Sequence, residues 1–543
     1  MPLEFAPRGL IAASLLLALA ACTAPQAPPA AQPAQTAAPD APELDLSEAS
    51  IADLGARMAA GELSARRITQ WYLDRIAAID DAGPTLNAVV EINPDALAIA
   101  DALDAERAAG RLRGPLHGIP VLLKDNIDTG DRMKTTAGSL ALADHVAASD
   151  AFVTARLREA GAVIIGKTNL SEWANFRSRD SSSGWSSRGG QTRNPYALDR
   201  SPCGSSSGTG AAIAAGLAAV GVGTETDGSI VCPASSNGLV GIKPTVGLVS
   251  RTGIIPIAHS QDTAGPMARS VADAALLLAA MRGVDAADAA SESSGEHAAI
   301  DLAAALDPGA LNGKRIGVLR QFFGFDRRVD AAMEAAIATL KAQGAEIVDP
   351  VELPNFRQYG AQEFTVLLYE FKHGLERYLA ERAPGAPVRT LADVIAFNQR
   401  EAARVMPWFG QETAEAANAK GDLTEAEYTQ ALADAKRMAG VEGIDAALAA
   451  HKLDALLAPS NGPAWTVDWV NGDHFGGGSS QPAAVAGYPN VTVPAGFVHG
   501  LPVGVSFFGA AWSEPTLIGI AHAFEQAQRA RKPPTFRASV DAP

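Results

Sequence analysis

Between Asn194 and Thr245 the chain reads NPYALDRSPCGSSSGTGAAIAAGLAAVGVGTETDGSIVCPASSNGLVGIKPT, with glycine, serine and threonine concentrated far above their level elsewhere. No other segment constrains the fold as strongly. Two serine-bearing loops frame an Ala-rich stretch, Ala211 to Val220, that predicts a helix whose small residues permit close packing. The first loop is Gly204-Ser205-Ser206-Ser207-Gly208, and the second runs from Gly223 to Ser229. Within the second, Asp227 and Gly228 between Thr226 and Ser229 favour a tight turn whose successive backbone N–H groups point to one side. Such a nest can hold an oxyanion, and Ser229 at its end would have both a nucleophilic hydroxyl and a site for the developing charge.

A serine nucleophile needs a base. None of the nine histidines lies in this segment, the next being His259. Upstream, GPLHGIPVLLKDNIDT places Lys124 directly after Ile119 to Leu123, a run that reads as a buried strand. An ammonium held there loses hydration, its pKa falls, and the neutral amine becomes a base. A lysine at a strand end can also simply extend its stem to water, the reading that position alone favours. The serine loops downstream restore the reading as a base.

The remaining chain bounds the problem. It has 543 residues, 47% of them hydrophobic, which excludes a disordered protein and leaves ample core for a large domain. Charge is −16, from 44 Lys and Arg against 60 Asp and Glu, so the electrostatic footprint of a nucleic-acid binder is missing. Cys22, Cys203 and Cys232 are too few for a disulfide scaffold, and their spacing matches no Cys/His zinc pattern, so no metal is expected.

At the N-terminus, Met1 to Arg8 carries positive charge, Gly9 to Ala21 is an apolar run of signal-peptide length, and the run ends at Leu19-Ala20-Ala21-Cys22. Small residues before a cysteine resemble the bacterial lipoprotein box, which implies cleavage after residue 21, acylation of Cys22 and membrane attachment. Thr23 after Cys22 favours the outer membrane, facing the periplasm. Residues 22–43 are almost wholly Ala, Pro, Gln and Thr beyond the cysteine and read as an extended tether. Residues 44–535 are expected to form one domain, followed by a tail over 536–543.

Within that domain, Ser64 is positioned to cap a helix with Ile68, Trp71, Tyr72, Ile76 and Ile79 at helical spacing. Short apolar runs such as Ile119 to Leu123 and Val163 to Ile165 alternate with helical stretches such as Ala151 to Ala160. That alternation predicts an α/β fold, a single large domain with a mixed β-sheet covered by helices on both faces. Lys314 to Val348 reads as another βαβ passage. Glu415 to Leu448 is helical in composition with a break at Gly421, and Val491 to Pro494 with Gly504 to Phe508 are strand-like.

The motifs Gly118-Ile119-Pro120, Lys124-Asp125, Ser205 and, 24 positions further on, Ser229 resemble in order and spacing those of the amidase signature family of serine hydrolases. The resemblance extends from about Ser64 to Ala527. It implies a Ser-cisSer-Lys triad of Lys124, Ser205 and Ser229, an oxyanion hole built from the backbone of Thr226, Asp227, Gly228 and Ser229, and no cofactor. It also implies hydrolysis of a carboxylic amide through an acyl-enzyme. Flanking matches, GKTNLSEWANF from Gly166, QDTAGPMARSVAD from Gln261 and PNVTVPAGFVHGLPVGVSFFG from Pro489, are expected to be structural.

Departures from the family pattern occur at Cys203, Ser207, Glu225, Asp227 and Val231. Together these variants resemble the branch of bacterial peptide amidases, implying C-terminal peptide amides as substrate; aryl, aliphatic and N-acylethanolamide substrates stay open. Val231 stands where many members carry Arg, which leaves any substrate role of that position in doubt. Gln362 to Tyr378 and Trp465 to Phe475 are candidate pocket walls. No obligate protein partner is inferred.

Other readings compete. The first loop fits the G-x-S-x-G nucleophile elbow with Ser206 as nucleophile, though Leu198 to Pro202 does not supply the preceding strand. A catalytically silent peptide-binding lipoprotein would not need all three triad positions filled. An amidotransferase subunit acting on misacylated tRNA is opposed by the acidic charge and the export signal.

Overall fold

The short apolar runs bounded by Gly and Pro become strands in the computed structural model, which describes residues 44–297 and 301–540. The expected signal segment and the whole of the expected tether, Cys22 included, lie outside the described residues. The strands are β1 (Val89–Ile92), β2 (Pro120–Lys124), β3 (Val163–Thr168), β4 (Trp185–Ser186), β5 (Gly190–Gln191), β6 (Val220–Glu225) and β7 (Val240–Lys243) in the first half. The second half adds β8 (Thr263–Ala268), β9 (Arg315–Val318), β10 (Glu346–Val348), β11 (Ala455–Pro459), β12 (Asn490–Val498) and β13 (Leu501–Phe508).

Among the described residues, eleven of these strands form one mixed sheet in the order β1-β3-β2-β6-β8-β7-β12-β13-β11-β9-β10, and β4 with β5 make a separate ribbon. Parallel pairs β3/β2 and β2/β6 lie toward one end, β11/β9 and β9/β10 at the other. The centre from β6 to β13 is antiparallel. Every residue of β2, β3, β6 and β8 is buried, as it must be when helices cover both faces of a sheet. Each fully buried Val, Leu or Ile there contributes about 1.5–3 kcal/mol of transfer free energy. The expected α/β architecture is the one observed.

Local signals act as anticipated in several elements. Ser64 Oγ accepts the N–H of Arg67 at 3.2 Å and starts the helix Ala65–Arg75, which buries Ile68 and Tyr72. The βαβ passage is β9, the helix Arg327–Ala342 and β10, the two strands parallel. Residues 419–425 interrupt the helices around Gly421.

The Ala-rich stretch differs from expectation. Its helix runs from Ser207 to Ala214, not from Ala211 to Val220. Gly216 sits at φ +69°, where a Cβ would meet the Ser47 carbonyl oxygen at 2.7 Å, so the chain turns there. Val220 then begins β6. The helix starts inside the first serine loop, and most of the second loop's approach is strand.

Candidate active site

Lys124 ends β2, between its parallel neighbours β3 and β6, and is fully buried. Its Nζ lies 2.7 Å from Ser205 Oγ, 2.8 Å from Thr224 Oγ1 and 3.3 Å from the Thr224 carbonyl oxygen. Burial pushes its pKa down to about 7, while the charges of Asp262 and Glu225 pull it upward. A neutral amine has two N–H donors and one lone pair. The Thr224 carbonyl can only accept, whereas a hydroxyl can return a proton to the lone pair. Lys167, equally buried on β3, gives its Nζ to two carbonyls, of Ile127 at 2.7 Å and Lys134 at 3.1 Å, and to Thr135 Oγ1 at 3.0 Å. Lys167 therefore holds loop backbone, and Lys124 is the lysine that meets a serine of the Gly/Ser loops.

Ser205 follows a cis peptide bond from Gly204, and Cys203 before it has φ 60°. A Cβ on Gly204 would come within 2.4 Å of Ser171 Oγ, so the loop closes only with glycine. Ser206 is different in kind: its hydroxyl donates to the Thr224 carbonyl at 3.0 Å and accepts the Thr224 N–H at 3.2 Å, locking the loop to β6. A nucleophile elbow requires a strand running directly into the serine, and the chain between β5 and Ser206 holds none.

Ser229 lies in the turn between β6 and the helix Val231–Ser236 and is 8% exposed. Its carbonyl accepts the N–H of Ser206 at 3.2 Å, which joins the two serine loops. Gly228 in the turn has φ +78°, a conformation that suits glycine. Glu225 Oε2 accepts the N–H groups of Ile230 at 2.6 Å and Val231 at 2.9 Å, folding the turn around its own first residue. Thr226 Oγ1 donates to Asp262 at 2.5 Å, and the other oxygen of Asp262 accepts the N–H groups of Ile257 and Ala258, each at 2.9 Å. Val231 is buried in the helix after the turn.

Several of these groups escaped sequence reasoning. Thr224, which makes two contacts to Lys124, stood in the segment without any motif to mark it. Asp262 and Gln261 belong to the flank QDTAGPMARSVAD, expected to be structural, and that flank is the available signal. Cys203 and Cys232 form a disulfide, packed with Trp465. A cavity of about 270 Å³ is lined among others by Asn126, Thr224, Thr226, Ile255, Ile257 and Arg377. In the expected pocket walls, Trp465 is buried, while Phe475 is exposed and Trp469 stacks on Trp408 with ring centroids 4.4 Å apart.

A buried lysine in contact with a serine of one Gly/Ser loop, with that loop joined to the second through Ser206 and Ser229, is an arrangement a serine hydrolase without histidine can use. The family model described as Amidase matches residues 67–518, and the chain belongs to the amidase family. It is 42% identical over 501 residues to a probable amidase of Arabidopsis thaliana, covering 90% of this chain and 92% of that protein. Among solved structures it is similar to a peptide amidase in complex with the competitive inhibitor chymostatin, with 58% identity and TM-score 0.88, covering 90% of this chain and 99% of that one. The native peptide amidase of Stenotrophomonas maltophilia gives 57% identity and TM-score 0.86 over the same shares. The chain is a hydrolase of the carbon–nitrogen bond of amides, on the peptide-amidase side of its family.

Proposed function

We propose that this amidase is exported, lipid-anchored through Cys22 in the cell envelope, and releases ammonia from peptides that end in a primary carboxamide, with Lys124, Ser205 and Ser229 as its triad. The observation that carries the triad is the 2.7 Å contact between the buried Lys124 amine and Ser205 Oγ. The substrate reading is supported by likeness to a solved peptide amidase and by the loop sequence TETDGSIVCP. The anchoring reading is supported by the apolar run ending at Cys22 and by the Ala/Pro-rich residues 23–43 that would serve as tether. Residues 44–535 would carry the catalytic domain.

In the proposed mechanism the neutral Lys124 amine takes a proton from Ser205, which takes one from Ser229 as its oxygen attacks the amide carbon. The carbonyl oxygen becomes an oxyanion held by backbone N–H groups of Thr226 to Ser229. The relay returns the proton to the leaving nitrogen, ammonia departs, and an ester to Ser229 remains. Water, deprotonated through the same relay, attacks that ester; the C–O bond to Ser229 breaks, and acid and free serine are restored.

The discriminating measurement compares ammonia release from a peptide amide with cleavage of the same peptide extended by one residue. A pocket closed beyond the leaving nitrogen admits NH₂ and excludes a continuing chain, so kcat/KM should differ strongly between the two. Equal rates, or activity confined to long-chain acylethanolamides, would defeat the substrate reading and leave the triad standing.

A further inference from the structure

Glu363, in the first turn of the helix Gly360–Glu381, is 5% exposed, and both of its carboxylate oxygens are occupied. Gln261 Nε2 donates to Oε1 at 3.1 Å, and Gln481 Nε2 donates to Oε2 at 2.7 Å. The same Gln261 amide group donates to the Thr226 carbonyl at 3.3 Å. A third neighbour of Glu363 is the carboxyl group of Asp227, which hydrogen-bonds to it from the turn between Thr226 and Ser229. The hydroxyl of Ser480 lies beside them, and a Cβ on Gly228 would stand 3.0 Å from it. The start of one helix and residues 480–481 thus grip the turn through Asp227.

Two carboxyl groups in hydrogen-bond contact need one proton between them, because neither can donate once both are ionised. Glu363 already accepts two amide N–H groups, which favours its charged form. Asp227 accepts the Ser480 hydroxyl, but its buried Oδ1 receives no hydrogen bond among the described residues, so the proton belongs on Asp227. An ionised Asp227 would also place negative charge beside the position where the oxyanion develops.

We propose that Asp227 and Glu363 share a single proton, and that this acid–carboxylate pair is the positioning element that keeps the turn Thr226 to Ser229 closed and uncharged during catalysis. The inference rests on the reading of that turn as the oxyanion hole. Loss of the proton sets two anions against each other, detaches the turn from the helix, and opposes the oxyanion. Burial and the charge of Glu363 hold the Asp227 carboxyl well above the ordinary carboxylate range. Other groups face the pair. Glu225 at the end of β6 adds repulsion, Lys243 at the end of β7 opposes it, and the Tyr359 hydroxyl just before the helix is raised and stays neutral.

The test is the pH dependence of kcat and KM for ammonia release from a turned-over primary amide in wild type, Asp227→Asn and Glu363→Gln. All three should share the acid limb set by Lys124, which serves as the internal control. Wild-type kcat should fall about 10- to 100-fold on the alkaline side, less than or similar to loss of one oxyanion donor, with KM changing little. The alkaline limb should vanish in Asp227→Asn, whose amide cannot ionise yet can still donate to Glu363. It should move to lower pH in Glu363→Gln, where the repelling charge on Asp227 is gone. Difference infrared spectra at neutral pH should show a carboxylic-acid carbonyl band in wild type that Asp227→Asn lacks. Profiles of one shape in all three proteins, or no such band, would overturn the shared proton. An active Ser229→Ala variant would instead overturn the reading of the site itself, so the two failures are separable. If Asp227→Asn does not fold, the shift in Glu363→Gln decides.

Discussion

Cys203 and Cys232 are joined by a disulfide, with Cα atoms 6.0 Å apart and a sequence separation of 29. Cys203 stands two residues before Ser205 and Cys232 three residues after Ser229, so the bridge ties the two serine loops together covalently. Trp465 packs over it and keeps both sulfurs away from solvent.

Closing a loop of that size removes unfolded-chain entropy, and the double variant Cys203→Ser/Cys232→Ser should lose about 2–4 kcal/mol of stability. The denaturation midpoint with and without reductant measures it. Turnover should fall as well, since both serine loops lose a common brace. An unchanged midpoint in the double variant would show that the surrounding packing holds the loops unaided.

Ser229→Ala should abolish both hydrolysis and covalent labelling by a fluorophosphonate. Lys124→Ala should be similarly severe, and Ser205→Ala severe but less complete where water can stand in for the hydroxyl. Ser206→Ala loses two hydrogen bonds to Thr224 yet should still be labelled. Labelling that survives in Ser229→Ala and disappears in Ser206→Ala would move the nucleophile to the first loop.

Activity should rise with pH through about 7, because Lys124 must be neutral to accept a proton and is protonated below that value. The free-lysine limb would lie near 10.4. Asp262→Asn removes a charge that lifts Lys124, so its limb should shift to lower pH. A limb that stays at the free-lysine value would contradict a desolvated base.

Cys22→Ser should release the protein from the membrane fraction or block its maturation, whereas Cys203→Ser and Cys232→Ser should leave its location unchanged. Metabolic labelling with a fatty-acid analogue reads this directly. No label on the wild-type chain would reduce residues 1–21 to an ordinary secretory signal.

Much of the fold was legible because its signals are local. The run before Lys124 needed only its apolar side chains and flanking Gly and Pro to announce a buried strand. Ser64 announced a helix start because its hydroxyl bonds three residues on. The helix expected over Ala211 to Val220 failed for the opposite reason. Its end is set by the close approach of Gly216 to Ser47, a contact between residues far apart in sequence.

The sequence by itself determined the class of fold and the net negative charge, which follow from composition and periodicity, and it marked the candidate lysine and serines through motifs that resemble those of the amidase signature family. Only the tertiary structure decided which groups surround them. Thr224 faces Lys124 because β6 lies beside β2 in the sheet. Glu363 reaches the turn at Asp227 through a helix that begins 133 residues after that position. Cys203 meets Cys232 because Ser206 and Ser229 bring their loops into contact. Burial, and with it the low pKa of Lys124, depends on how many distant elements exclude water from one amine, a quantity that no local spacing encodes.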